Sequence, residues 1–177
     1  MTNIVFIATS LDGFIADKDN KVDWLHETPN PDNSDLGYNA FIGRVQALVI
    51  GRNTLETVLS FGIDWPYTKP VFVLSNTMKA VPAGLEDKVF LVKGPLTEVM
   101  TKIHGQGYNN LYIDGGLTIQ SFLKEDLIDE LIITTIPVLL GGGISLFGGL
   151  VAPLKFKHVK SKRFVDYLVQ NSFIRVR

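Results

Sequence analysis

The chain has 177 residues, 46% of them hydrophobic, which suits one domain (1–177) with a well-filled core. Lysine and arginine number 17 against 18 aspartates and glutamates, and this net charge of −1 argues against a protein built to grip a nucleic-acid backbone. There is no cysteine, which excludes disulfides, thiolate metal sites and cysteine nucleophiles, and His26, His104 and His158 lack metal-ligand spacing, so no metal is expected.

The N-terminus has neither the basic start nor the length of a secretory signal, so the cytoplasm is the expected location. A first strand is predicted over 4–8, and Ser34-Asp35 is placed to cap a helix running toward Gly43-Arg44. A strand over 47–50 ends in Gly51-Arg52-Asn53-Thr54, with Thr54 opening a helix through Val58; further strands follow over 71–74 and 89–92. Pro95 suits the first turn of a helix in which Leu96, Val99, Met100 and Ile103 share one face, ended by Gly105 and Gly107. A strand over 111–113 runs through Asp114-Gly115-Gly116 into a helix over 117–123. Residues 131–154 carry no charge and are long enough to span a membrane. Pro137, Pro153, the glycines around Gly141-Gly142-Gly143 and the β-branched run 132–136 favour instead a buried strand followed by a glycine loop. The tail, 155–177, alternates basic and apolar residues as two edge strands would. The fold class is therefore α/β, a mainly parallel sheet with helices on both faces and a C-terminal antiparallel hairpin.

Two strand ends are suited to phosphate. At Gly115-Gly116 the missing Cβ atoms let main-chain N–H groups approach an anion at the start of a helix. At Gly51-Arg52 a second such turn adds the planar donor fork of a guanidinium. Two phosphate-competent turns in one small chain point to a dinucleotide, although neither has the glycine spacing of a Rossmann fingerprint or a P-loop. Asp114 would repel a pyrophosphate, so its side chain is expected to turn away and cap the helix at Leu117.

The same residues carry a likeness. Ala8 to Ala16 with its Leu11-Asp12-Gly13 turn, Val22-Asp23-Trp24, Gly51-Arg52-Asn53-Thr54, Tyr112-Ile113-Asp114-Gly115-Gly116, and Pro137-Val138-Leu139-Leu140-Gly141 leading to Leu146-Phe147 resemble, in order, the pattern of the dihydrofolate reductase superfamily. Within it the chain is most similar to the reductase domain at the C-terminus of the bifunctional riboflavin-biosynthesis deaminase-reductase, and to stand-alone relatives of that domain. Dihydrofolate reductases proper show three glycines where this chain has Asp114-Gly115-Gly116.

The resemblance implies a three-layer dihydrofolate reductase-like fold with a mixed sheet of about eight strands. It implies NADPH as hydride donor, a small-molecule substrate, and neither nucleic acid nor membrane as partner. It also suggests a homodimer, for which Pro137 to Leu140 and the glycine loop offer an apolar surface. Arg52, Ser75 and Asn76 would hold the adenosine 2′-phosphate with help from Lys93. Gly115, Gly116 and Thr118 would face the pyrophosphate with Thr54 near it, Gly51 would let the cofactor approach the backbone closely, and Ala8 and Ile15 would border the nicotinamide. For the chemistry three residues stand out, each with a structural alternative. Asp35 is the proton donor or a helix cap, Trp24 lines the substrate pocket or packs in the core, and Asp12 acts in the site or braces its turn. Three activities remain open: a reductase of a small heterocycle or sugar-derived carbonyl such as 5-amino-6-(5-phosphoribosylamino)uracil, a true dihydrofolate reductase, and a non-catalytic NADPH-binding module.

Overall fold

The computed structural model describes residues 1–31, 33–165 and 167–177. Its centre is an eight-stranded sheet in the order β5-β4-β3-β6-β1-β7-β10-β9, built from β1 (Thr2–Ser10), β3 (Ala47–Gly51), β4 (Val71–Leu74), β5 (Val89–Val92), β6 (Asn110–Asp114), β7 (Glu130–Ile136), β9 (Phe156–Phe164) and β10 (Leu168–Arg175). The first six strands in that spatial order pair in parallel, and β10 and β9 close the edge as an antiparallel hairpin. This is the expected α/β architecture.

Parallel pairs need crossovers, and three helices supply them: α3 (Arg52–Ser60) leads from β3 to β4, α4 (Leu96–Gly105) from β5 to β6, and α5 (Gly116–Lys124) from β6 to β7. The two-residue period of the strands sorts the core into two layers. Val5, Val49, Leu111 and Ile113 face α4 and α5, where Val99, Ile103, Ile119 and Phe122 are fully buried. Ile4, Leu48, Ile50, Val73 and Tyr112 face the other way, toward α2 (Tyr38–Ile42), α3 and the 61–85 region. Each fully buried aliphatic or aromatic side chain contributes roughly 1.5–3 kcal/mol, so the two layers together give the sheet its support on both faces.

Some boundaries differ from the sequence reading. The helix expected from Ser34-Asp35 begins only at Tyr38, because Leu36 and Gly37 take positive φ (51° and 86°) and turn the chain before it can coil. A short helix, α1 (Asp23–His26), and a small antiparallel pair, β2 (Phe14–Ala16) with β8 (Ile144–Ser145), are elements that short polar-interrupted stretches do not announce. Residues 131–154 form β7, a glycine loop and β8, and among the described residues no helix is long and apolar enough to cross a membrane.

The strand order positions the site. From β1 the chain skips a place to β3, moves outward through β4 and β5, then returns to insert β6 between β3 and β1. The crossovers therefore diverge at the carboxyl ends of these strands and leave a crevice there, the place where open α/β sheets bind ligands.

Candidate functional site

A cleft of about 1020 Å³ occupies that crevice. Its wall follows the sheet strand by strand. Lys93 stands after β5, Ser75 and Asn76 after β4, Gly51, Arg52 and Thr54 at the end of β3, Asp114, Gly115 and Gly116 at the end of β6, and Ala8 on β1. Ile15 on β2 and Thr118 on α5 complete it. The structure thus brings every residue suggested for the cofactor onto one surface. With neighbouring strands about 4.8 Å apart, the wall from β5 to β1 extends roughly 19 Å, the reach of an extended dinucleotide rather than of a single phosphate ester.

The middle of the wall is built for an anion. The helices α3 and α5 both start here, with Gly51 and Gly115 as N-caps, and neither has a side chain capping its first-turn N–H groups. Those donors and the positive helix ends face the cleft. The glycines are needed for close approach. A Cβ on Gly51 would lie 2.9 Å from Thr118 Oγ1, and one on Gly115 would lie 2.2 Å from Thr54 Oγ1. Gly115 also takes φ 91° and ψ 131°, which side-chain-bearing residues avoid. Two threonine hydroxyls, one from each helix, therefore converge on the glycine turn.

The outer end carries the cations. Arg52 Nε is paired with Glu56 Oε1 at 2.6 Å, and its NH1 donates to Thr77 Oγ1 at 3.2 Å. These contacts orient the guanidinium toward the Ser75–Thr77 turn and leave its other NH2 edge for a ligand. Ser75 Oγ accepts from the N–H groups of Thr77 and Met78, so its own proton is free to be donated outward. Thr77 escaped the sequence reading because only the folded turn brings it to Arg52, whereas Glu56, four residues on along α3, was within reach of an i,i+4 argument.

Beyond Gly115 the wall turns apolar, with Ala8, Ile15, Ala16, Val22 and Leu25, and polar groups enter from Asn20, Asp114 and Tyr67. Asp114 corrects an expectation: it does not cap α5. Strand alternation places it on the Tyr112 face of β6, whereas α5 packs on the Leu111 and Ile113 face. Burial pushes its carboxyl above the ordinary value, opposed by the hydrogen bond from the Gly115 N–H. Tyr112, on the same face, donates its hydroxyl proton to the Phe6 carbonyl at 2.9 Å. Burial, then the nearby Asp114 charge, raises Tyr38 and Tyr67 as well, and Trp65 packs edge-on against the Tyr67 ring at 5.2 Å.

None of the three residues suggested for chemistry lies on the cleft wall. Asp35 is on the surface, and its carboxylate accepts from Gly37 N and Asn39 N, which caps α2 and lowers its pKa. Its structural alternative therefore prevails, because the late start of α2 keeps it in the preceding turn. Trp24 is buried with Ile136 and Leu168, in a cluster against which Ala8 and Leu25 pack, and its Nε1 is unpartnered. Asp12 is bound to Ser10 Oγ (2.6 Å) and to the N–H groups of Leu140 (3.2 Å) and Gly141 (2.8 Å), bracing two loops together. Among the acidic residues that line the cleft, Glu56, Asp114 and Glu125, Asp114 is the one at the end of a sheet strand, and its face was legible from the period of β6, since Tyr112 two residues earlier shares it.

Comparisons with known proteins agree with this architecture. Residues 2–169 match the model of the RibD C-terminal domain family. The uncharacterized protein YwjB of Bacillus subtilis (strain 168) is 34% identical over 175 residues, covering 97% of each chain. The crystal structure of a putative riboflavin biosynthesis protein from Shewanella sp. PV-4 superposes with a TM-score of 0.97 at 62% identity over the whole of both chains. Dihydrofolate reductase from Enterococcus faecalis, complexed with NADP(H), shares the fold alone, with a TM-score of 0.68 at 16% identity over 98% of this chain and 96% of that one.

Proposed function

Because the chain belongs to the RibD C-terminal domain family, we propose that it is an NADPH-dependent reductase that delivers a hydride to a small heterocyclic or sugar-derived acceptor. The observation that carries this reading is the order of groups along one wall: cations and hydroxyls at the ends of β5, β4 and β3, two uncapped helix N-termini at β3 and β6, then an apolar stretch at β1. That order matches 2′-phosphate, pyrophosphate and nicotinamide in turn. The donor set and the glycine cradle fit the cofactor, which when bound supplies the hydride.

The chain's own part is to bind, orient and protonate. Arg52, Ser75, Asn76 and Lys93 hold the outer phosphate, and the amides and threonine hydroxyls around Gly51 and Gly115 hold the pyrophosphate. Ala8 and Ile15 exclude water from the reacting end, where Asp114 serves as the acid and Tyr67 as a hydrogen-bonding partner for the acceptor. A carboxyl whose pKa burial raises, placed beside the apolar end of the cleft, favours a reductase over a module that merely binds NADPH. Dihydrofolate remains the second acceptor to test, given the shared fold, alongside 5-amino-6-(5-phosphoribosylamino)uracil. We also propose that the chain works as a soluble homodimer, with exposed Leu139 and the glycine loop at the interface.

Arg52 gives the first test. Arg52→Ala is expected to weaken NADPH about tenfold or more, since a charge-assisted contact contributes roughly 1.5–3 kcal/mol, while NADH is weakened little. Calorimetric titration of both cofactors reads this difference, and equal losses would show that Arg52 does not read the 2′-phosphate.

A further inference from the structure

We propose that Asp12 is a positioning residue for the nicotinamide end of the cleft, acting as a clasp between two loops that each carry one apolar wall residue. The inference rests on the reading that the cleft holds NADPH.

The clasp is made of short-range contacts on both sides. Asp12 Oδ1 accepts from Ser10 Oγ at 2.6 Å and from Leu140 N at 3.2 Å, and Oδ2 accepts from Gly141 N at 2.8 Å. Ser10 Oγ in turn accepts from Phe14 N at 2.9 Å, so the same carboxylate sets the turn that leads into β2. Leu11 N donates to Val138 O, and Leu146 N to Gly13 O, which fastens the turn to the 138–146 loop before and after the glycines. A carboxylate is suited to this place because it alone among side chains of its size accepts on both oxygens at once.

What the clasp holds is the reacting end of the cleft. The two loops meet again as β2 and β8, paired Phe14 with Ser145 and Ala16 with Ile144. They approach so closely at Gly143 that a Cβ there would lie 2.1 Å from the Ala16 carbonyl oxygen. Ile15 and Ile144 then press on Gly116: a Cβ on Gly116 would lie 2.6 Å from Ile15 Cδ1 and 3.3 Å from Ile144 Cγ2. Gln120 of α5 donates to Ser145 O at 2.8 Å and completes the link to the helix whose N-terminus faces the pyrophosphate. Asp12 itself touches nothing in the cleft. Its effect is confined to the height and angle of Ile15 and Ile144, the far end from Arg52 and Lys93.

This confinement makes the proposal testable with a split ligand. Adenosine 2′,5′-bisphosphate carries the half of NADPH that meets Arg52 and Ser75, and lacks the nicotinamide. Asp12→Ala and the conservative Asp12→Asn are titrated with both ligands by calorimetry, and amide hydrogen exchange over 138–146 is followed in parallel. The expected result is an NADPH affinity lowered about tenfold in Asp12→Ala and less in Asp12→Asn, with the bisphosphate unchanged within about twofold. Exchange at Gly141 and Leu146 should quicken in the same order. Unchanged NADPH binding in both variants would overturn the proposal, and so would equal losses for the two ligands, which mark a general loss of structure. A parent protein that binds neither ligand overturns the cofactor reading itself, a result separate from either of these.

Discussion

Gly115→Ala is expected to abolish measurable NADPH binding while costing the fold only a fraction of its stability. The residue sits at φ 91° and ψ 131°, and an alanine Cβ would lie 2.2 Å from Thr54 Oγ1. Rotation of the Thr54 side chain relieves the contact but not the positive φ, and the backbone change that does, worth roughly 1–3 kcal/mol, turns Gly115 away from its present course. That change redirects the first-turn amides that face the cleft, and losing two charge-assisted contacts lowers affinity by about a hundredfold or more. Circular dichroism and a denaturant titration should show a folded, somewhat destabilised protein, and calorimetry should show no NADPH heat. Normal NADPH binding by a folded variant would contradict the placement of the pyrophosphate. Gly116 is a different case. Its Cβ would point at Ile15 and Ile144 rather than at the anion site, and its φ is not positive, so Gly116→Val is expected to act by pushing back the apolar wall.

Asp114→Asn should have the largest effect on turnover. The amide keeps the shape but cannot give up a proton, and loss of a positioned acid lowers kcat by about a hundred- to ten-thousandfold. NADPH affinity should move less than the rate, because Asp114 projects from the Tyr112 face of β6, opposite the face on which α5 packs. NADPH oxidation, with dihydrofolate and with 5-amino-6-(5-phosphoribosylamino)uracil as acceptors, reads the rate; a variant that turns over normally would remove Asp114 from the mechanism. The pH dependence supplies a readout that needs no acceptor. Because burial raises the carboxyl above its ordinary value of 3.8, the folded state holds the proton more tightly than the unfolded chain. The stability from that proton is present below pH 3.8 and is lost as pH rises through the folded-state value. The parent should therefore lose stability relative to Asp114→Asn across that interval, and parallel curves would show that the carboxyl is not perturbed.

Much of this was legible in the sequence because the residues concerned are governed by local rules. The six parallel strands announce themselves as near-continuous apolar runs, since all but the edge strand β5 are largely buried on both faces, and the helix from Leu96 to Ile103 shows its buried face by spacing alone. Gly51 and Gly115 mark turns where only a missing Cβ allows close approach, and both lie on the cleft. The residues for chemistry were harder to see. Asp35 next to Ser34 looks like a helix start, but the positive φ values at Leu36 and Gly37 delay α2 and leave Asp35 as an outlying cap. Tyr67 lies between Pro66 and Thr68 with no periodicity to reveal its direction, and reaches the cleft only through tertiary packing. Asp12 bonds to Leu140 and Gly141 across separations of 128 and 129 residues, a pairing no local pattern encodes.

The central claim is that the cleft at the ends of β1 and β3–β6 is a site for NADPH. Calorimetric titration of the unmodified protein with NADPH and with NADH tests it most directly. Saturable one-site binding of NADPH, at least about tenfold tighter than that of NADH, is the predicted result. No binding of either cofactor at millimolar concentration, or equal affinity for both, would contradict it.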